Sequence, residues 1–143
     1  MNIIKSWKEV LGGDTYVTTQ SESDNNVAYK MLEPSYIPKG YKETERRETQ
    51  KSMHINYDDN NGNSIYYNYS VPTNSQRMIN TENAEIENIK IKNDDIMLVY
   101  KGNNIKALLE NKKYICYISM NYDKNKDENY MKQEMIKIIN SIY

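Results

Sequence analysis

Apolar and polar residues alternate in two runs on either side of an Asn-Gly step. The first run covers residues 53–58, the second covers residues 65–71, and Asn61 and Gly62 lie between them. Alternation with a period of two is typical of a strand that has one face in the core and one in solvent. An Asn-Gly step between two such runs is a strong signal for a hairpin turn. The chain is therefore predicted to contain an antiparallel sheet, and the polar residues between the two runs are predicted to form a turn.

Four more runs with strand character follow at residues 84–91, 96–101, 105–110 and 114–120. The connections between them are short and rich in Asn, Asp, Gly and Lys, which is typical of turns. Turns this short join antiparallel strands. The charged run at residues 42–51 is predicted to be an edge strand that its charges protect from further pairing. The sequence thus predicts an antiparallel meander of about seven strands.

The last segment of the chain, residues 127–142, returns to a helical period. Its apolar stripe consists of Met131, Met135, Ile138, Ile139 and Ile142. A helix with one apolar face buries that face against a partner, here the sheet. We therefore predict an α+β fold in which the C-terminal helix packs on one face of the sheet.

The first 26 residues are predicted to form a short helix and a linker. Apolar side chains at positions 3, 4, 7, 10 and 11 have the spacing of one helical face, and Gly12-Gly13 would end the helix. Residues 14–26 are polar and nearly free of aliphatic side chains, as linkers are. We expect residues 27–143 to be a single α+β domain and the helix to dock on it through Trp7.

The sequence lacks the parts of common catalytic and cofactor sites. The single histidine, His54, and the single cysteine, Cys116, lie on different predicted strands, so no nucleophile and base are paired. None of the five glycines stands in a phosphate-binding loop. The 19 basic and 20 acidic side chains give a net charge of −1, without the basic excess of a nucleic-acid-binding protein. We expect no enzyme, no catalytic, cofactor or metal residues, and no nucleic-acid partner.

One loop has the spacing of calcium ligands. Asp123, Asn125, Asp127 and Glu134 stand at positions 1, 3, 5 and 12 of such a loop. Position six is Glu128, where a calcium loop needs glycine, and the preceding element is predicted to be a strand. We therefore expect Asp127 to cap the C-terminal helix and Glu134 to face solvent, with a cation site as the alternative.

Tyrosine supplies the candidate binding surface. The chain has 14 tyrosines and no phenylalanine. Most tyrosines on the predicted strands belong to the core, but Tyr66 points opposite to its apolar neighbours. An exposed aromatic strand face can bind a peptide, a glycan or a partner domain. Tyr66, together with Tyr36 and Tyr41 in the Pro-Gly segment, is the candidate binding surface.

Three motifs, in order along the chain, resemble a bacterial family known as domain of unknown function 4367. Residues 36–41, Tyr-Ile-Pro-Lys-Gly-Tyr, resemble the opening of that family, and residues 79–89 resemble its central strand. Residues 114–120 and 134–142 are similar to its closing strand and helix. The resemblance covers about residues 30–143.

The resemblance implies a location and a kind of function. Members of this family typically lie outside the cytoplasmic membrane, after a transmembrane helix in anti-sigma-factor-like proteins or in lipoprotein-like chains. The resemblance therefore implies a non-enzymatic sensor or regulatory domain that binds an unknown protein or small ligand. Its contact with the membrane would be through an anchor that this chain does not contain. The family has no agreed catalytic residues.

Two alternatives remain open. Residues 1–5 lack the apolar core of a secretory signal, so a cytoplasmic location is the alternative to a membrane-anchored one. The alternative function is that of a carrier, with a lipid or another small hydrophobic ligand held in a pocket between the sheet and the C-terminal helix. An ordinary core explains the same Met and Ile stripe.

Overall fold

The fold is given by a computed structural model that describes residues 31–72 and 81–143 in full, and residues 3–10, 14–21 and 75–80 as backbone strands. The strands of the larger sheet are β3 Lys42–Glu48, β4 Ser52–Asp58, β5 Ser64–Ser70, β7 Glu85–Ile91, β8 Asp94–Lys101, β9 Asn104–Glu110 and β10 Ile115–Asn121. A smaller sheet contains β1 Ile3–Val10, β2 Asp14–Ser21 and β6 Ser75–Asn80. The helix is α1, Glu128–Ile142.

The larger sheet has seven antiparallel strands in the order β3-β4-β5-β10-β9-β8-β7. The predicted strand count, the hairpin around Asn61 and Gly62, and the C-terminal helix are confirmed. The strand order departs from chain order at one point, because β5 pairs with the last strand, with Tyr69 opposite Cys116. The sheet therefore consists of two meanders that β5 and β10 join. The charged strand β3 is an edge strand, as predicted.

The turn between β7 and β8 shows how local sequence sets the register of the sheet. Ile91 pairs with Asp94, so Lys92 and Asn93 form a two-residue connection. Both residues have positive φ, 49° and 70°. Two-residue turns with positive φ at both positions match the right-handed twist of the strands, and asparagine tolerates that conformation better than most residues.

Helix α1 covers one face of the larger sheet. Its buried side chains, among them Met135 and Ile138, belong to the same apolar cluster as strand residues such as Ile55, Tyr67 and Ile118. A smaller cluster on the opposite face contains Met97, Val99, Leu108 and Ile115. Both faces of the sheet thus carry buried apolar side chains, and the larger core lies under the helix.

The N-terminal segment differs from the sequence-based prediction. β1 and β2 pair from Ile3 opposite Ser21 to Val10 opposite Asp14, and β2 also pairs with β6. Residues 3–10 and 14–21 are thus strands in the structure, within the segments for which the sequence predicts a helix (residues 2–11) and a linker (residues 14–26). Residues 14–21 are rich in Thr, Val and Tyr, which favour strands, and pairing between strands overrides helical spacing. Docking of the Trp7 side chain lies outside the described residues.

Candidate functional site

A cleft of about 450 Å³ opens at one end of the larger sheet. It lies where residues 38–41, the β4–β5 turn, the segment after β10 and helix α1 come together. Its walls carry three aromatic and three acidic side chains: Tyr41, Tyr122 and Tyr130, and Asp59, Asp123 and Glu134. A concave site with a few convergent polar groups is the usual form of a binding site for small molecules.

The first wall is the Pro-Gly turn. Pro38 fixes its own φ, and Gly40 adopts a φ of 97°, which a side chain would strain. The turn closes through a hydrogen bond of 3.3 Å from the Tyr41 amide to the Pro38 carbonyl. The Tyr41 hydroxyl donates to the carbonyl of Asn121 at 2.6 Å. Burial, with the nearby carboxylates of Asp59 and Asp123, raises the pKa of Tyr41 to about 12, so the phenol keeps its proton at neutral pH.

The second wall is the β4–β5 turn, which is organised around Asp59. Its Oδ1 accepts hydrogen bonds of 2.8 Å from the backbone amides of Asn61 and Asn63. The side-chain amide of Asn63 donates to Asp59 Oδ2 at 2.9 Å and to Asp123 Oδ1 at 2.7 Å. The Asn61 side chain donates to Asp123 Oδ2 at 3.2 Å. Two asparagines therefore fix two carboxylates side by side and join the turn to the segment before α1.

The protonation of Asp59 follows from these bonds. Partial burial acts to raise the pKa of Asp59, but the hydrogen bonds from Asn63 and Asn61 outweigh burial and lower the pKa below its ordinary value. Asp59 is therefore ionised at neutral pH. The β4–β5 turn holds this charged side chain at one edge of the cleft.

The third wall is the buried face of α1 at Glu134. This residue is 5% exposed, and its two carboxylate oxygens lie 2.9 and 3.0 Å from the Tyr36 hydroxyl. Lys137 lies 3.2 Å from Glu134 Oε2. Burial, followed by the hydrogen bond to Glu134, raises the pKa of Tyr36 to about 12. The prediction that Glu134 faces solvent is wrong, because Tyr36 packs over the helix and its hydroxyl bonds to the Glu134 carboxylate.

Three of the four oxygen-bearing residues with calcium spacing bond to different parts of the structure. Asp127 is the N-cap of α1 and accepts from the Tyr130 amide at 3.0 Å, as predicted. Asp123 bonds to the two asparagines of the β4–β5 turn, and Glu134 bonds to Tyr36. In the part of the chain that the structure describes, no group of three or more His, Cys, Asp or Glu is placed to hold a metal ion.

The region that contains the cleft matches a known protein family. The sequence profile of a family described as "Domain of unknown function (DUF4367)" matches residues 31–142, which is more than half of the chain. The chain belongs to the DUF4367 family. No curated protein and no solved structure matches it. Every residue that lines the cleft lies within the DUF4367 region.

The three candidate tyrosines separate into two places on the DUF4367 domain. Tyr41 lines the cleft. Tyr36 does not line it, but its hydroxyl bonds to Glu134, which does. Tyr66 lies on the other face of the sheet, where its hydroxyl is 2.7 Å from Nδ1 of His54 and its ring is 6.2 Å from the ring of Tyr117. Tyr66 therefore does not contribute to the cleft.

Several cleft residues of the DUF4367 domain were not identified from the sequence. Asp59 stood within a predicted turn, and its repeated Asn partners at positions 61 and 63 are the signal that marks such a turn. Tyr122 directly follows β10, and Tyr130 lies in the first turn of α1. No local sequence pattern shows that the two residues line the same cleft. Among the described residues, no helix has both the length and the apolar character needed to cross a membrane.

Proposed function

We propose that this DUF4367 domain is a non-enzymatic sensor or regulatory domain, and that it binds a small polar ligand or a polar segment of a partner in the cleft. The observation that carries the proposal is the pair Asp59 and Asp123, which Asn61 and Asn63 hold at the cleft in a fixed geometry. Groups that are already fixed lose little entropy on binding, so they are suited to recognition.

The side chains around the cleft favour a ligand with hydrogen-bond donors. Asp59, Asp123 and Glu134 supply acceptors, while Tyr130 offers an aromatic ring that is 56% exposed. Lys39 and Lys126 also line the cleft, so the charge there is mixed. Ligands with amino or several hydroxyl groups can donate to the carboxylates and stack on the ring.

The states of the reactive side chains support a binding role over a catalytic one. Cys116 is 2% exposed, and burial raises the pKa of its thiol to about 12. His54 bonds to Tyr66 on the face opposite α1, away from the cleft. The cleft carboxylates of Asp59 and Glu134 are held by amide and phenol donors. A nucleophile and a base are thus not brought together by these residues.

The extracytoplasmic setting is part of the same proposal. It is supported by the location of other proteins that share the DUF4367 motifs, and a cytoplasmic location is the alternative. Reading the gene immediately upstream of Met1 tests it. We expect an apolar helix or a lipid-attachment motif in frame, and an in-frame stop codon directly before Met1 would contradict the anchored form.

The alternative of a hydrophobic carrier receives less support. A carrier needs an apolar pocket between the sheet and the helix. Met135 and Ile138 of α1 have no exposed surface and share one cluster with the strand side chains. This packing is typical of an ordinary core, and the cleft lies at the end of the interface and carries polar groups.

A ligand survey by nuclear magnetic resonance tests the binding proposal. The 15N-labelled protein is titrated with a panel of polyamines, amino sugars, simple sugars and short basic peptides. We expect at least one compound to shift the amide signals of Tyr41, Asn61 and Asp123 together. Shifts confined to other regions, or none with the whole panel, would contradict a binding cleft at this place.

A further inference from the structure

Strand β7 forms one edge of the larger sheet and, among the described strands, has only β8 as a neighbour. Its seven residues, from Glu85 opposite Tyr100 to Ile91 opposite Asp94, pair one to one without a shift in register. An edge of this kind presents a row of backbone N–H and C=O groups toward an additional strand. The geometry of β7 therefore permits pairing along its whole length.

The opposite edge is built differently. In β3 the register shifts between Glu43 and Glu45, which marks a bulge. Arg46 forms ion pairs of 2.6 to 3.1 Å with Glu33, Glu43 and Glu48. A bulge and a dense set of charges are two devices that hinder edge pairing. β3 has both devices, whereas β7 pairs in regular register without a bulge.

A second cleft, of about 380 Å³, lies between β7 and the start of α1. Its charged side chains are Glu85, Glu87, Glu128 and Lys132. Glu87 accepts hydrogen bonds from Tyr100 at 2.7 Å and from Lys132 at 2.9 Å. The single ammonium group is thus already paired, and three carboxylates against one lysine leave a net negative charge beside the strand edge.

The outer side of β7 is apolar at one point. Ile86 pairs with Val99, which belongs to the cluster on the face opposite α1, so the Ile86 side chain lies on that face. Ile86 is 38% exposed and is one of three large hydrophobic residues with substantial exposure among the described residues. Along β7, acidic side chains on the helix side therefore alternate with an exposed isoleucine on the outer side.

We propose that β7 is a docking strand for an extended segment of a partner protein in which basic residues alternate with apolar ones. The partner backbone extends the sheet, its basic side chains face Glu85 and Glu128, and its apolar side chains cover Ile86. Strand addition of this kind takes affinity from backbone hydrogen bonds and specificity from alternate side chains. This surface is separate from the cleft at Asp59 and Asp123.

A second copy of the chain fits this edge less well than a basic segment. The one basic residue of β7 is Lys90, which lies on the same side of the strand as Ile86 and pairs with Asp95 at 3.6 Å. A second β7 strand therefore does not bring its lysine to the carboxylates on the helix side. Charge complementarity assigns the edge to a different, basic segment.

A model peptide tests this proposal. The probe is a fluorescein-labelled nine-residue peptide in which lysine alternates with valine, and its binding to the full chain is followed by fluorescence anisotropy. We expect saturable binding that weakens with salt. A peptide with glutamate in place of lysine, and one with proline at its centre, should each bind at least tenfold more weakly.

Two charge reversals locate the binding. Glu85→Lys changes an exposed residue of β7, and Glu45→Lys makes the same change on the other edge strand. We expect Glu85→Lys to weaken binding at least tenfold and Glu45→Lys to change it less than twofold. Hydrogen exchange at the β7 amides should slow when the peptide is bound, and circular dichroism checks that both variants are folded.

Four results would overturn the proposal. The first is the absence of saturable binding of the lysine peptide, and the second is equal affinity for the proline peptide. The third is protection or signal shifts at Asp59 and Asp123 in place of β7, which would assign the peptide to the other cleft. The fourth is a dimer of the chain through β7 that the peptide does not dissociate, which would make a second copy the occupant.

Discussion

The hydroxyl of Tyr36 donates a hydrogen bond to the buried carboxylate of Glu134, at 2.9 and 3.0 Å from its two oxygens. Tyr36 begins the Tyr-Ile-Pro-Lys-Gly-Tyr segment, and Glu134 lies in the middle of α1. The bond thus ties the turn at one wall of the cleft to the helix at another. Ser35 adds to the same junction through its amide and hydroxyl, which bond to Ser141 at 3.1 and 3.2 Å.

Tyr36→Phe is predicted to lower the free energy of unfolding by about 1–3 kcal/mol, because it removes a donor from a carboxylate that is buried. Urea unfolding at neutral pH measures the change. The double variant with Glu134→Met, which has no oxygen acceptor, separates this bond from other effects of the phenol. Equal effects of Tyr36→Phe in the presence and absence of Glu134 would contradict a direct interaction.

Asn63→Ala is predicted to destabilise the protein and to make it less sensitive to acid. The hydrogen bonds of Asn63 help to lower the pKa of Asp59, so the ionised aspartate stabilises the fold above its unfolded pKa of about 4. That contribution is lost as the pH falls through the lower pKa of the folded state.

Urea unfolding at several values between about pH 7 and pH 2 checks this prediction. Other carboxylates with lowered pKa, such as Glu87, contribute equally in both proteins. The difference between the wild type and Asn63→Ala therefore isolates the two carboxylates that the Asn63 side chain bonds, Asp59 and Asp123. A constant difference across the whole pH range would show that the asparagine stabilises the fold without acting through the charge of Asp59.

Cys116 is predicted to resist alkylation in the folded protein. It is buried under α1, and burial raises its pKa to about 12, so both access and the thiolate fraction are low at pH 8. Reaction with iodoacetamide, followed by mass spectrometry, should be at least a hundredfold slower in buffer than in concentrated urea. Rapid and complete labelling of the native protein would contradict the packing of β10.

Ile138→Ala is predicted to cost about 2–5 kcal/mol of stability, since Ile138 has no exposed surface in the core under α1. Asn140→Ala, at an exposed position of the same helix, is the control and should cost less than about 1 kcal/mol. Chemical unfolding measures both. A loss below about 1 kcal/mol for Ile138→Ala would favour a loosely filled interior and hence the carrier alternative.

The hairpin of β4 and β5 could be predicted because its signals are local. Alternation defines the strands, and the Asp59-to-Asn63 segment defines the turn. The pairing of β5 with β10 had no such signal, because packing in the folded chain determines which strands pair when they are distant in sequence. The same holds for Glu134, whose partner Tyr36 lies 98 positions away along the chain. At Ile3–Val10, where helical spacing predicts a helix, the structure has a strand that pairs with β2.

The candidate site could be predicted in part for the same reason. The parity of Tyr66 placed it correctly on the face opposite its apolar neighbours, and Tyr41 does line a cleft. The carboxylates at Asp59 and Asp123 come from two separate connections that meet only in the folded chain. Their common asparagine donor is a property of the tertiary structure.

The affinity of a cleft ligand for two helix variants is the most direct test of the central claim. Tyr130→Ala removes an exposed ring from the cleft, while Gln133→Ala changes an exposed residue of α1 that does not line it. Isothermal titration calorimetry is carried out with the compound from the panel that shifts the cleft amides most. The binding account predicts about tenfold weaker affinity for Tyr130→Ala, or roughly 1.4 kcal/mol, and no change for Gln133→Ala. Equal affinity of both variants and the wild type would contradict it.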